Sequence, residues 1–173
     1  MNMLDEVPAY ARGYFELVGE QDPIALLRKQ LSETTKLYKS IPSEKWDYAY
    51  AEGKWTIKEV LGHLIDSERI FQYRALRFGR GDTTDLPGFD QDIYVAAGNA
   101  PRRSAESLIE EYETVRKSSL LLFEQLNETE LERSGTANGA MVKVRWLAYM
   151  SAGHEMHHLR ILKERYGVVN LKI

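Results

Sequence analysis

Three histidines in this chain have the spacing needed to hold one metal ion. The segment His154-Glu155-Met156-His157-His158 reads as H-E-x-x-H and lies in a helix-forming stretch near the C-terminus. Residues four apart share one face of an α-helix, so the imidazoles of His154 and His158 can converge. The remaining histidine, His63, lies about ninety residues upstream in another helical segment. A divalent ion held by three histidines keeps a fourth position open, which is typical of catalytic zinc-type sites.

The same H-E-x-x-H pattern also fits a zincin peptidase in which Glu155 is the general base. Against this, the chain after His158 contains no histidine, so the third-ligand pattern of metzincins is absent, and Glu164 falls on another face of the helix. Glu155 lies about 100° around the helix from His154, which leaves it as either a base beside the metal or a surface residue. His157 is predicted to lie at the surface or at a subunit contact, outside the ligand set.

Four long amphipathic helices are predicted to position these residues, beginning near residues 23, 56, 104 and 144. Asp22 precedes a proline at the start of the first helix, Thr56 and Glu59 form a capping-box pattern at the second, and Ser104 is a capping candidate for the third. Gly167 is a conventional stop for the fourth helix. Residues 134–142 contain an Asn-Gly pair and predict a turn or small hairpin.

Residues 79–103 join the second and third long helices and contain four glycines and two prolines. This composition predicts an irregular crossover that is long enough to span a bundle. The second and third helices can therefore be parallel. We predict an all-α fold, a four-helix bundle in up-down-down-up order with a long crossover between helices two and three.

The whole chain, residues 1–173, is predicted to form a single domain. We expect an N-terminal arm at 1–21 that packs on the body, the bundle at 22–167 and a tail at 168–173. On the third helix, the predicted core stripe is Leu108, Tyr112, Val115, Leu121 or Leu122, and Leu126. On the fourth helix, Trp146, Met150 and Gly153 form a second apolar strip away from the histidines, which predicts a homodimer.

Composition limits the classes of partner. The net charge is −3 and the two signs alternate along the chain, so nucleic acid is not an expected partner. No apolar run is long enough to span a bilayer and the N-terminus has no signal-peptide pattern, so no membrane association and a cytoplasmic location are expected. The chain has no cysteine, which excludes disulfides, a thiolate nucleophile and cysteine-ligated metal.

Three segments make the chain resemble the DinB/YfiT-like superfamily of metal-dependent enzymes. They are Lys54-Trp55-Thr56-Ile57-Lys58-Glu59-Val60-Leu61-Gly62-His63-Leu64-Ile65-Asp66, Leu86-Pro87-Gly88-Phe89-Asp90-Gln91-Asp92, and the histidine pair followed by Leu159-Arg160-Ile161-Leu162. The resemblance covers about residues 22–167. It implies the same up-down-down-up bundle and one divalent ion per chain, nickel, zinc or similar, on His63, His154 and His158.

The resemblance further implies a small-molecule substrate, because characterised relatives include thiol transferases and isomerases that use low-molecular-weight thiols, and others are labelled hydrolases. We therefore expect thiol S-transferase-type chemistry with such a thiol as cosubstrate. A metal-dependent hydrolase and a non-catalytic metal- or ligand-binding bundle are the alternatives.

Several residues around the predicted ion have candidate roles. Asp66 could orient His63 as a hydrogen-bond acceptor, or it could be a solvated carboxylate. Asp90 and Asp92 could border a pocket, although acids in loops more often form turns. Three arginines of the second helix could supply an anion site, of which at most one is expected to do so; they are Arg69, Arg74 and Arg77.

Overall fold

The computed structural model describes residues 3–168 and is dominated by helices. In chain order the elements are α1 (Met3–Glu6), α2 (Arg12–Val18), α3 (Pro23–Lys39), α4 (Ile57–Gly79), α5 (Gln91–Ala97), α6 (Ala105–Gln125), α7 (Glu128–Leu131), β1 (Ser134–Ala137), β2 (Ala140–Lys143) and α8 (Val144–Tyr166), with 3-10 turns at Ala9–Ala11, Ser43–Lys45 and Ala100–Arg102. The four long helices α3, α4, α6 and α8 confirm the predicted bundle. Of the predicted tail, residues 169–173 lie outside the described residues.

Each long helix begins or ends at a residue suited to that role. The Asp22 carboxylate accepts backbone N–H groups at the start of α3, and Ser104 caps α6. Thr56 and Glu59 form the predicted capping box at α4, where the Glu59 carboxylate accepts the Thr56 N–H at 2.7 Å. Gly167 ends α8 with a left-handed φ of 65°. The helix boundaries therefore follow from local sequence.

Contacts between side chains show that α4 and α6 are parallel. Arg69 of α4 pairs with Glu111 of α6, and Gln72, about one turn further along α4, bonds to Ser118, about two turns further along α6. Residue numbers therefore increase in the same direction along α4 and α6. The connection between them must return along the whole bundle, which explains its length.

The directions of the other two long helices complete the order. Arg28 near the start of α3 pairs with Glu124 near the end of α6, so these helices are antiparallel. In contrast, Gln30 of α3 bonds to the carbonyl of Ala152 and Thr34 bonds to Glu155, so α3 and α8 are parallel. The bundle thus runs up-down-down-up, as predicted.

The crossover is more ordered than predicted. Residues Gln91–Ala97 form α5, for which Asp90 is the N-cap, and a 3-10 turn follows. Before α5, Leu86 pairs with the hairpin through Leu86 N–H to the Thr136 carbonyl at 2.9 Å and Asn138 N–H to the Leu86 carbonyl at 3.0 Å. The glycine-rich composition hid this helix because the glycines and prolines lie on both sides of it.

The N-terminal arm packs on α8, as expected, and it corrects the prediction of a free apolar face. A Cβ at Gly153 would lie 2.2 Å from the carbonyl oxygen of Tyr14, so α2 and α8 approach closely there. Trp146 and Met150 are each 2% exposed. The strip on which the homodimer prediction was based is therefore covered by α2 of the same chain.

The predicted core stripe of α6 is confirmed at Leu126 and wrong at Leu121, whose alternative Leu122 is partly buried against the core. Leu121 is 61% exposed, whereas Leu120 and Phe123 are buried. The inward positions continue in steps of three and four residues through Ser119 to Phe123, because a helix of 3.6 residues per turn keeps that spacing on one face.

The core consists of two apolar clusters separated by a polar layer. One cluster contains Leu27, Phe71 and Leu147 and lies on the side of the arm; the other contains Leu61 and Leu162. The buried polar residues between them come from all four long helices. They are Gln30, Thr34, His63, Ser67, Glu68, Arg116, Ser119, Ser151, His154, Glu155 and His158.

No helix within residues 3–168 combines the length and the apolar composition required to cross a membrane.

Candidate metal centre

The three predicted ligands come together in the polar layer. His63 lies on the second turn of α4, and His154 and His158 lie on successive turns of α8. The Nε2 atom of His154 is 3.0 Å from Nε2 of His63 and 3.1 Å from Nε2 of His158. One nitrogen from each ring lies within 4.8 Å of the other two. The antiparallel α4 and α8 thus place residues about ninety positions apart around one point.

This arrangement fits a divalent ion. Four ligands at the usual zinc–nitrogen distance of about 2.0–2.1 Å in a tetrahedron are separated by about 3.3 Å, close to the two Nε2 distances. A neutral imidazole has a single N–H, so Nε2 of His154 can donate to only one of its two neighbours. A cation would accept lone pairs from all three nitrogens. The donor set, imidazole without thiolate, suits zinc, nickel or a similar ion.

Burial keeps these histidines in the form that binds metal. Burial lowers the pKa of His63 to about 4, with the nearby His157 adding to the effect. Burial also lowers the pKa of His158 to about 3, and that of His154 falls well below the ordinary value. All three rings are therefore neutral near pH 7, and their lone pairs are available for a metal.

Aromatic rings from outside the predicted ligand set surround the histidines. Trp55, the residue before the α4 N-cap, lies 4.8 Å from the His63 ring and stacks at 6.4 Å on His158. Tyr14 from α2 meets the edge of His154 at 5.4 Å. Sequence reasoning missed these positions. A tryptophan directly before a capping box two turns from a histidine was the available signal for Trp55, whereas Tyr14 had none.

A cavity of about 260 Å³ opens beside His63 and His154. Its walls come from the arm, α4, the crossover, the hairpin and α8. The other lining residues are Tyr10, Tyr14, Ser67, Phe71, Arg74, Gly88, Phe89, Gln91, Asn138 and Met150. Its volume is slightly below that of pockets for drug-sized ligands, which suits a small molecule. None of these lining residues is a carboxylate.

The Leu86-to-Asp90 segment contributes a wall of this cavity, which explains its composition. A Cβ at Gly88 would lie 2.2 Å from Oδ1 of Asn138, so a side chain there would collide with the hairpin. The Pro87 carbonyl accepts a hydrogen bond from Arg74 at 2.9 Å, and Phe89 packs against Tyr94. The segment therefore holds the crossover against the hairpin at the edge of the cavity.

Glu155 does not lie at the cavity. It is 1% exposed, and its carboxylate accepts hydrogen bonds from Thr34 at 2.7 Å, Tyr112 at 2.8 Å and Arg116 at 2.7 Å. Three donors, one from α3 and two from α6, therefore hold this carboxylate in the core. The interpretation of Glu155 as a surface residue is wrong, because it occupies a core position. Its role as a base, on which the peptidase interpretation depends, stays a prediction.

Glu155 belongs to a buried charge network that sequence reasoning did not identify. Arg116 also donates to both oxygens of Glu68 at 2.8 Å. Burial opposes the charge of Arg116, but the carboxylates of Glu155 and Glu68 outweigh it and raise the pKa of the guanidinium well above its usual range. Because Glu155 follows His154 and Glu68 lies five residues after His63, the network fixes the register of both ligand-bearing helices.

Asp66 lies beside His63 in a separate crevice of about 70 Å³. Burial raises the pKa of Asp66, Arg69 at 3.9 Å opposes this, and Glu111 adds to it. The Asp66 carboxylate therefore pairs with Arg69, and an orienting role toward His63 stays a prediction. Asp90 caps α5, as expected of a loop acid, and neither Asp90 nor Asp92 lines the cavity beside the histidines.

The three candidate arginines differ in burial and in their partners. Arg69 pairs with Glu111 and Arg77 with Asp82, both at the outer surface of α4. Arg74 is buried and lines the cavity. A larger cavity of about 510 Å³, beside Tyr38, contains none of the three histidines and is not part of this site.

Comparison with known proteins gives the family. The sequence profile of the DinB superfamily matches residues 26–162, a range that contains all three clustered histidines. The chain belongs to the DinB superfamily. A curated relative from Oceanobacillus iheyensis, named "Putative metal-dependent hydrolase OB0413", is 28% identical over 137 residues, which are 78% of this chain and 76% of that protein.

Solved structures support the DinB fold. YfiT from Bacillus subtilis, described as a probable metal-dependent hydrolase with an unusual four-helix bundle topology, matches with a TM-score of 0.71 at 16% identity over 82% of both chains. A mycothiol-dependent maleylpyruvate isomerase matches with a TM-score of 0.66 at 13% identity over 98% of this chain and 69% of that one. At these identities the likeness establishes the fold alone.

Proposed function

We propose that this DinB protein is a divalent-metal-dependent enzyme that joins a low-molecular-weight thiol to a small electrophile. His63, His154 and His158 would hold the ion. A divalent ion on three imidazoles lowers the pKa of a thiol or water molecule that it binds, which makes a nucleophile available near neutral pH. The chain has no cysteine, so the sulfur must come from a cosubstrate.

The observation that carries this proposal is the lining of the cavity next to His63 and His154, which contains hydroxyls, amides and a guanidinium but no carboxylate. A thiol with a pKa near 8.5 needs far less activation than water, whose pKa is about 15.7, so it can ionise without a separate general base. Glu155 is the one acidic residue that directly adjoins a predicted metal ligand in the sequence, and its carboxylate is held by Arg116. A site of this composition suits thiol chemistry better than water activation.

In the proposed transfer, the thiol sulfur forms a bond to the electrophilic carbon. The leaving group departs with the electron pair of the bond that breaks, and the thiol proton goes to solvent or to that leaving group. Tyr14 and Phe71 pack on His154 and limit access of water from the arm side, and Trp55 covers His63. The chain thereby supplies a small, partly apolar site for a reactive sulfur.

A metal-dependent hydrolase is the second candidate. The name of the Oceanobacillus iheyensis relative and the description of YfiT favour it. Hydrolysis would need a group that accepts a proton from water; within the cavity the phenol of Tyr14, whose pKa burial raises, is poorly suited to that role at neutral pH. This difference in required base separates the two candidates.

Metal analysis of protein purified without a histidine tag tests the ligand set. We expect about one divalent ion per chain in the wild type and in His157→Ala, because His157 lies outside the cluster. His63→Ala, His154→Ala and His158→Ala should each lose the ion. Full occupancy in His63→Ala would contradict the assignment.

The reaction is tested separately by a panel of electrophiles with bacillithiol, glutathione or cysteine, comparing metal-loaded protein with chelator-treated protein. Thioether formation that depends on both thiol and metal supports the transferase. Cleavage of esters or amides by the loaded protein, without any thiol, would replace it with the hydrolase.

A further inference from the structure

Arg74 is a buried cation with little compensation from its own chain. Its side chain is 5% exposed, and its guanidinium donates one hydrogen bond to the Pro87 carbonyl at 2.9 Å. Among the side chains that the structure describes, no carboxylate forms an ion pair with it. The phenol of Tyr10 is its nearby titratable neighbour, and burial lowers the pKa of Arg74 while Tyr10 opposes that change. An arginine nonetheless stays charged in a protein.

Ser67 adds an unsatisfied hydroxyl to the same wall. It is 1% exposed, and within residues 3–168 its Oγ atom has no hydrogen-bond partner. A buried hydroxyl without a partner costs about 1–3 kcal/mol. Arg116, by comparison, is a buried cation whose carboxylate partners are built into the chain. Within the part of the chain that the structure describes, Ser119 of the buried polar layer also has an unpartnered hydroxyl, but it does not line the cavity, whereas Arg74 and Ser67 both do.

Both residues share the helix face that carries His63. Ser67 lies four residues after His63, Phe71 follows four later and Arg74 three after that, so all four project from one side of α4. All four line the cavity, together with His154. Along α4, the cavity wall thus runs from His63 past the Ser67 hydroxyl and Phe71 to the Arg74 guanidinium.

From this geometry we infer that Arg74 and Ser67 form the subsite for an anionic group, a carboxylate in the first instance, of the small molecule that binds at the histidines. The guanidinium offers paired N–H donors that match a carboxylate, and the Ser67 hydroxyl can add a third bond. Binding would supply the missing counter-ion of Arg74. This inference rests on the proposed function for the position of the ligand but concerns recognition, not the reaction.

The test uses matched thiols on zinc-loaded protein and measures their affinity by isothermal titration calorimetry. The probes are 3-mercaptopropionate and 3-mercaptopropanol, which share the thiol and differ in carboxylate against hydroxyl. The wild type should bind the acid at least about tenfold more tightly than the alcohol. This ratio is the lower end of what a charge-assisted hydrogen bond contributes to affinity. Arg74→Gln should abolish this preference and Ser67→Ala should reduce it about threefold.

Arg69→Gln is the matched control. It removes one arginine from the same helix, but Arg69 is paired with Glu111 and does not line the cavity. It should retain the full acid preference. An Arg74→Gln protein that keeps the preference, or an Arg69→Gln protein that loses it equally, would overturn the inference, because the preference would then reflect the ion or the overall charge.

Zinc content of each variant separates this inference from the metal assignment. Arg74→Gln and Ser67→Ala should retain zinc, because neither belongs to the histidine cluster. If the wild type itself fails to hold zinc, the proposed function fails, and the same pair of probes is titrated into the metal-free protein. An acid preference that depends on Arg74 there would support the subsite on its own, and equal affinities would overturn it.

Discussion

Gly153 offers a sharp test of how the N-terminal arm is attached. It lies on α8 between Ala152 and His154, where an added Cβ would meet the backbone carbonyl oxygen of Tyr14 at 2.2 Å and the Tyr14 carbonyl carbon at 2.7 Å. A flexible side chain could move away, but a backbone carbonyl in α2 cannot do so alone. Gly153→Ala must therefore displace α2 as a unit.

The expected magnitude combines two opposing effects. Alanine is better than glycine in a helix interior by about 1 kcal/mol. Overpacking a filled contact costs about 1–3 kcal/mol, and a clash with backbone belongs at the upper end of that range. The net loss in the free energy of unfolding is about 2 kcal/mol, which in a chain of this size lowers Tm by about 4–8 °C.

Gly13→Ala is the control, since Gly13 lies in α2 and a Cβ there meets nothing within 4 Å. It should raise the free energy of unfolding by up to about 1 kcal/mol. Urea denaturation followed by circular dichroism measures both variants, and limited proteolysis measures release of the arm, which should be faster in Gly153→Ala alone. Equal stabilisation by the two substitutions would refute the close packing of α2 on α8.

Three further outcomes follow from the polar layer. Glu155→Gln should lower the free energy of unfolding by about 1–3 kcal/mol and leave the metal content unchanged. Glu16→Gln, at the exposed face of α2, should change neither quantity. An unchanged stability with lost turnover in Glu155→Gln would instead indicate a catalytic Glu155. Metal-free protein should lose stability as the pH falls from about 6.5 through about 4, because burial lowers the pKa of His63 and protons then bind the unfolded chain preferentially; a urea midpoint that is flat across this range would contradict it. Chelation should lower Tm but keep the helical circular dichroism at room temperature, since the apolar clusters do not depend on the ion.

Much of the metal centre was predictable because it depends on local spacing. His154 and His158 share a helix face through their separation of four residues, and the scarcity of histidine left His63 as the third candidate. The helix caps at Thr56 and Gly167 could also be predicted, because they depend only on neighbouring residues in the sequence. These features need only the geometry of a single helix.

What could not be predicted depends on contacts between distant segments. Arg116 meets Glu68 and Glu155, 48 and 39 residues away, and an isolated arginine in an amphipathic helix carries no mark of that environment. The burial of Gly153 required knowledge that α2 lies on α8. Helix periodicity places Arg74, unlike Arg69, on the face that carries His63, but only the contacts between distant segments show that Arg74 bonds to the Pro87 carbonyl and lines the cavity.

The charge network around Arg116 also bears on which bundle this chain can form. Helices with similar apolar faces can in principle exchange neighbours while still burying those faces. An order other than up-down-down-up would separate Arg116 of α6 from the carboxylates on α4 and α8, and an unpaired buried charge costs about 3–5 kcal/mol. Arg116 therefore raises the free energy of the competing helix orders. The order that brings the three histidines together from distant segments of the chain is favoured over the alternatives.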